Sequence, residues 1–127
     1  MTFKERLIQA CSLTEEEQAG TDKVNSFIKE FISTLDELWN HKFIFKYSSV
    51  GVEEHKNNHY VKMAIKISNH SGSFSDSVKF LVPLLGFPCL FLDSQCEYVP
   101  CNNIEDIEKY LIEWLKEIKP ILACVQD

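Results

Sequence analysis

One strand near the middle of the chain constrains the fold more than any other segment. Between Tyr60 and Ser68 apolar residues recur at every second position, which predicts a β-strand with one buried face. The apolar positions are Val61, Met63, Ile65 and Ile67. Residues that favour tight turns flank this strand on both sides, Asn57-Asn58 before it and Ser71-Gly72 after it. The pattern therefore predicts an antiparallel sheet built around this strand.

The turns also predict the register of the neighbouring strands. A third turn is expected at Leu85-Gly86, and a short fifth strand from Cys96 to Val99 is expected after a turn at Asp93-Ser94. The predicted cross-strand pairs are Val52–Met63, Val50–Ile65, Val61–Val82, Met63–Phe80, Ile65–Val78, Phe80–Phe91 and Val82–Cys89. All three turns send these apolar residues to the same face of the sheet, and this agreement supports the register.

Helical signals occupy both ends of the chain. Thr2 with Glu5 and Thr14 with Glu17 form capping boxes, so a short first helix should reach about Cys11. The strongest helical spacing runs from Val24 to Trp39, before Asn40, which suits a C-terminal cap; its members are Val24, Phe27, Ile28, Phe31, Leu35, Leu38 and Trp39. Gly20 either breaks or weakens the segment that precedes it.

A last helix should begin at a capping box of Asn102 with Glu105 and end or kink at Pro120. Its apolar stripe consists of Ile104, Ile107, Leu111, Trp114, Leu115 and Ile118. The prediction is one α+β domain over residues 1–127. It has N-terminal helices, an antiparallel β-meander of four to five strands and a C-terminal helix, with the helices packed on one face of the sheet.

Charge and composition exclude several classes of function. The formal net charge is −6 and Arg6 is the only arginine, so no nucleic-acid partner is expected. The start of the chain lacks the apolar core of a signal peptide, and the longest uncharged apolar run, Phe80 to Leu92, is too short to cross a bilayer. Five cysteines without an export signal indicate reduced thiols and a cytoplasmic location. The acidic charge serves either solubility or attraction to a basic protein partner.

Neither a metal site nor a catalytic site is expected. His55 and His59 lie beside Glu53 and Glu54, but four-residue spacing brings two imidazoles together only on a helix, and this segment contains a turn signal. The cysteines of the second half lack the close pairs of a structural zinc site; they are Cys89, Cys96 and Cys101. Thiol chemistry at Cys101 would require a base, for which His70 is the candidate. No cofactor motif is present.

The predicted register leaves apolar and aromatic residues on the sheet face that points away from the helices. This candidate binding surface consists of Phe43, Phe45, Tyr47, Tyr60, Leu81, Leu90 and Leu92, with Lys62, Lys66 and Lys79 among them. An apolar surface rimmed by charge is typical of a protein contact. Two alternatives stay open: a bulge near Ser48-Ser49 turns the first three aromatic residues inward, or the first helix covers them.

The sequence favours a binding protein over an enzyme. Small size, negative charge, the lack of a catalytic motif and the spare apolar face together suggest a protein that neutralises or escorts a cytosolic partner, as immunity proteins do for toxins. The alternatives are a type III secretion-type chaperone, which could act as a homodimer, and a small thiol- or metal-dependent enzyme. Such chaperones resemble this chain in general plan but place a helix in the middle of the sheet, and Ser75 to Val99 leaves no room for one.

Overall fold

The chain folds as two helices, five strands and a closing helix. The structure, a computed structural model, describes residues 1–93 and 95–125. The elements are α1 Phe3–Cys11, α2 Glu15–Leu38, β1 Ile44–His55, β2 Asn58–Ser68, β3 Ser75–Val82, β4 Cys89–Leu92, β5 Tyr98–Cys101 and α3 Ile104–Cys124. The strands form one antiparallel sheet in the order β1-β2-β3-β4-β5. The predicted α+β meander between N-terminal and C-terminal helices is therefore confirmed.

The helices begin where side chains satisfy their free N–H groups. Both predicted capping boxes are present, since the hydroxyls of Thr2 and Thr14 accept from the N–H groups of Glu5 and Glu17. The third helix differs from the prediction by one residue, because Asn103 is its N-cap and accepts from the N–H of Asp106. Asn40 follows α2 with a positive φ of 51°, as expected of a residue that ends a helix.

Two residues that usually interrupt helices lie inside these. Pro120 lies within α3, which continues to Cys124. Gly20 lies within α2, which begins at Glu15 rather than near Val24. A Cβ on Gly20 would lie 1.8 Å from the carbonyl oxygen of Leu85, and a Cβ on Gly86 would lie 2.4 Å from the carbonyl oxygen of Gly20. The two glycines therefore allow the first turns of α2 to pack backbone against backbone on the β3–β4 turn.

The register of the sheet is confirmed for β2 and β3, where Met63 pairs with Phe80 and Ile65 pairs with Val78. Phe80 pairs with Phe91 across β3 and β4, also as predicted. The fifth strand lies two residues later than expected, at Tyr98–Cys101, and Ser94 of the predicted turn falls outside the described residues.

The register of the first hairpin was predicted incorrectly. Its turn residues are Lys56 and Asn57, with φ values of 49° and 67°, and Val52 pairs with Val61 instead of Met63. A β-bulge follows, because the pairing moves from Gly51 directly to Ser49 and leaves Val50 as the extra residue. One extra residue in a strand exchanges the faces of every residue beyond it.

The main core lies between the helices and one face of the sheet, which is called the helix face below. Buried residues of α2 and α3 meet buried residues of the strands in a single cluster that includes Val24, Ile28, Ile65, Ile67, Val78, Phe80, Phe91, Ile107, Leu111 and Trp114. All residues of α1 are exposed, including Phe3, Leu7 and Ile8. The helix layer that covers the sheet therefore consists of α2 and α3.

Candidate functional site

The bulge divides the predicted binding surface between the two faces of the sheet. Tyr47 pairs with Ile65 and Phe45 pairs with Ile67, so both lie on the helix face. Phe43 is buried in the main core, and Phe45 and Tyr47 pack against that core half-buried. The orientation predicted for these three residues is therefore wrong, and the alternative with a bulge is the one that the structure adopts. The signal was a glycine, Gly51, inside a strand pattern.

The other four predicted residues lie on the opposite face of the sheet, called the far face below. Tyr60, Leu81 and Leu90 form a small buried cluster against which Tyr98 packs, and Leu81 has no exposed area. Leu92 remains 39% exposed. The far face is thus not the broad exposed apolar surface that the sequence suggested.

Curling of the sheet explains how Leu81 becomes buried without a helix above it. Adjacent strands lie about 4.8 Å apart, so the edges of a flat five-stranded sheet would be about 19 Å apart. Here the hydroxyl of Tyr98 on β5 donates to the carboxylate of Glu53 on β1, and the rings of His55 and Tyr98 lie 4.9 Å apart. The edge strands thus meet through their side chains, and the far face is concave.

The Tyr98 hydroxyl is correspondingly hard to ionise. Its hydrogen bond to Glu53, then burial and the negative charge of that carboxylate, raise the pKa of Tyr98 to about 12. Lys62 completes the group, with its Nζ 3.8 Å from the other carboxylate oxygen of Glu53. This tyrosine–carboxylate–lysine contact closes one end of the concave face.

A groove runs between α2 and β1 on the helix side. It has a volume of about 530 Å³. The lining residues are Lys29, Ile32, Ser33 and Asp36 of α2, with His41, Phe43, Ile44, Phe45, Tyr47 and His70. The three aromatic residues of β1 that left the far face therefore line this groove instead. They bring apolar surface to a cleft that solvent can enter, which is typical of binding sites.

Contacts between α2 and β1 hold the groove in shape. Trp39 stacks on Phe45 at 6.1 Å and meets Phe43 edge-on at 5.5 Å. The hydroxyl of Tyr47 donates to Oδ1 of Asn25 on α2 at 2.7 Å. Burial raises the pKa of Tyr47 to about 12, so this hydroxyl remains a donor at neutral pH.

One wall of the groove is an edge strand, and the other is an acidic helix. β1 is at the edge of the sheet, and its outer side faces no other strand among the described residues. The unpaired N–H and C=O groups of such an edge are available to another strand. The sequence of α2 contains seven carboxylates and two lysines, so the helix beside the groove is strongly acidic.

The cysteine and histidine candidates do not form a reactive site. Burial, with the charge of Asp106, raises the pKa of the Cys101 thiol to about 11, so that it is protonated at neutral pH. His70 donates through Nε2 to the carbonyl oxygen of His41 near the start of β1, whereas Cys101 is on β5 at the other edge of the sheet. Burial also raises the pKa of Cys89 to about 12. All five cysteines have free thiols.

The histidines and carboxylates are likewise spread out. His55 contacts Tyr60 and Tyr98, while His59 is exposed and pairs with Glu54 across the hairpin. A second cleft of about 560 Å³ between the sheet and α3 is lined partly by Asp76, Asp93, Glu113 and Glu117. Among residues 1–93 and 95–125, no three His, Cys, Asp or Glu side chains are grouped so that they could hold a metal ion. In the same part of the chain, no helix combines the length and hydrophobicity needed to cross a membrane.

Comparison with known proteins identifies no relative, since no protein family model, curated protein or solved structure matches the chain.

Proposed function

We propose that this chain is a cytoplasmic protein-binding domain that neutralises or escorts one protein partner, in the manner of an immunity protein, and has no catalytic role. The groove between α2 and β1 supports this proposal most directly. An aromatic floor beside an unpaired strand edge suits an extended segment that adds a strand to β1 and places alternate side chains in the groove. Backbone hydrogen bonds would supply affinity, and the groove would supply specificity.

The charge of α2 indicates the chemistry of the segment. Its carboxylates lie along the helix that forms the second wall, and the chain as a whole carries a net charge of −6. A basic segment would be attracted to this wall over a distance of about 10 Å at moderate salt. We therefore expect association to slow as salt is added while dissociation changes much less. An association rate that does not depend on salt would contradict the basic character of the partner.

A blocking substitution tests the groove without disturbing the core. Ser33 is exposed on α2 and lines the groove, so Ser33→Trp should fill the groove from the helix side. Thr34 is the next residue, is also exposed and is not a lining residue, which makes Thr34→Trp the matched control. The measurement is quantitative purification of the tagged chain from its native cell, with partners identified and their stoichiometry determined.

We expect the wild-type chain and Thr34→Trp to retain the same basic partner at one-to-one stoichiometry, and Ser33→Trp to lose it. Equal retention by both variants would exclude the groove as the binding site. A homodimer that carries one disordered acidic or neutral segment would instead support the chaperone alternative.

Alkylation tests the enzymatic alternative. Cys11, Cys96 and Cys124 are exposed, whereas Cys89 and Cys101 are buried with raised pKa values. At pH 8 we expect three thiols to react quickly and these two to react only after denaturation. Fast labelling of Cys101 in the folded chain, measured by peptide mass spectrometry, would restore thiol chemistry as a candidate.

A further inference from the structure

The far face of the sheet carries a cluster of positive charge that the groove does not use. Lys46 pairs directly with Lys66 across β1 and β2, and Lys79 pairs with Ala64 across β2 and β3. Lys62, Ala64 and Lys66 alternate along β2, so all four lysines share the far face with Leu81. The remaining far-face positions between Ile44 and Ser48 on β1 and between Ser75 and Ser77 on β3 hold serine and isoleucine.

This arrangement is unfavourable for the fold by itself. Like charges directly opposite each other on neighbouring strands destabilise a sheet. Lys46, Lys66 and Lys79 are exposed, and none of them takes part in an ion pair of the described residues. Lysines on an edge strand can prevent aggregation, which would explain Lys46. That reason does not extend to Lys66 and Lys79, because β2 and β3 are interior strands.

We propose that this lysine cluster binds an acidic, extended segment of a protein. The concave shape of the far face favours a segment that lies in it, since the contact of Tyr98 with Glu53 closes one end and the lysines lie beyond it. The charge of the cluster complements carboxylates. The site is separate from the groove between α2 and β1, which lies on the other side of the sheet, so the two proposals can fail independently.

The chemistry of the far face favours a polypeptide over a nucleic acid. Arginine, which reads base edges, is absent from the strands, since Arg6 is in α1. Single strands of nucleic acid stack on exposed aromatic rings. Here Tyr60 is 8% exposed, and Tyr98 is committed to Glu53. The acidic helices α2 and α3 would also repel a long polyanion, whereas a short acidic segment can lie on the far face alone.

A labelled oligoglutamate peptide about twelve residues long, enough to span the sheet, is a suitable probe. Its binding to the full chain is followed by fluorescence anisotropy at low salt. The test variant replaces Lys46, Lys66 and Lys79 by Gln. The control variant replaces Lys109, Lys116 and Lys119 by Gln, which are exposed on α3, and so makes the same change in net charge away from the far face. Circular dichroism confirms that both variants are folded.

We expect the peptide to bind the wild-type chain and the control variant with similar affinity, and the far-face variant at least about tenfold more weakly, because three charge contacts are lost. Equal weakening by both variants would show that net charge alone is responsible and would overturn the proposal. So would the lack of saturable binding to the wild-type chain, or tighter binding of a single-stranded oligothymidylate of the same length.

A single substitution separates binding from folding. Lys66→Glu places a carboxylate opposite Lys46 and removes a like-charge pair, so we expect a melting temperature equal to or above that of the wild type. The same substitution should abolish peptide binding. A variant that melts normally and still binds oligoglutamate as well as the wild type would overturn the proposal.

Discussion

The two faces of the sheet bury apolar residues by different physical means. On the helix face, Ile65 and Phe80 have 0% and 1% exposure because two long helices cover them. On the far face, Leu81 reaches the same 0% although the helices lie on the other side. There the cover comes from the curl of the sheet itself and from Tyr60, Leu90 and Tyr98. Burial at a single position therefore does not show which layer provides it.

The difference has consequences for function. The helix face is filled by its own helices except at the groove beside β1, where Phe45 and Tyr47 remain half-buried. The far face keeps a small dry cluster at its closed end and a charged open end with Lys46, Lys66 and Lys79. One side of the molecule thus offers an apolar groove with an acidic wall, and the other side offers positive charge.

The largest effect is expected at Ile65 on the helix face. Ile65→Lys places an unpaired charge in the main core, which should exceed about 4 kcal/mol and unfold the domain. Its neighbour Lys66 points to the far face, so Lys66→Gln should leave the fold intact. Thermal melts followed by circular dichroism measure both. Equal tolerance at the two positions would contradict the assignment of the faces.

Leu81 tests whether the far face has a genuine core of its own. Leu81→Ala should reduce the free energy of unfolding by about 2–4 kcal/mol, because a fully buried side chain leaves a cavity. Leu92 lies on the same face and is 39% exposed, so Leu92→Ala should cost less than about 1 kcal/mol. Urea denaturation gives both values. A cost below about 1 kcal/mol at Leu81 would mean that the sheet does not close over it in solution.

Two tyrosine hydroxyls compare the contacts that shape the two sides. Tyr47→Phe removes the bond to Asn25 beside the groove, and Tyr98→Phe removes the bond to Glu53 that closes the far face. Each substitution should cost about 1 kcal/mol, with the larger cost at Tyr98 because its acceptor is charged. Denaturation of the two variants beside the wild type measures these costs.

The pH dependence of these costs follows from the raised pKa values. Both tyrosines have a pKa near 12 in the folded chain against an ordinary value of 10. Their contribution to stability should therefore be complete below pH 10 and disappear as the pH rises through 12. In an ultraviolet titration, each variant should lose one tyrosinate step near pH 12. A step lost near pH 10 instead would show that the hydroxyl is not bound in solution.

The smallest effect concerns the lysine pair. Lys66→Glu should increase the free energy of unfolding by about 0.5 kcal/mol, because the new carboxylate faces Lys46. Lys79 pairs with Ala64, so Lys79→Glu is the control and should change stability less. Denaturant unfolding at low salt resolves the difference. A loss of stability in Lys66→Glu would show that the two lysines do not repel each other in the folded sheet.

Local patterns determined much of the fold. Alternation in β2 and the turns at Ser71-Gly72 and Leu85-Gly86 predicted the pairing of Met63, Phe80 and Phe91, because a strand has a period of two residues and short turns leave little freedom of register. The capping boxes at Thr2 and Thr14 predicted two helix starts for the same reason: the partners lie within one turn of the chain.

Tertiary structure decided the parts on which the candidate sites depend. The bulge at Val50 exchanged the faces of Phe43, Phe45 and Tyr47, and the local pattern of β1 fits both registers; only packing against Trp39 and Asn25 distinguishes them. The closed far face requires Glu53 and Tyr98 to meet across a curled sheet, although they are 45 residues apart in sequence. Sequence alone thus determined the elements and their order, because these depend on near neighbours, whereas the direction of side chains on the edge strand depends on distant ones.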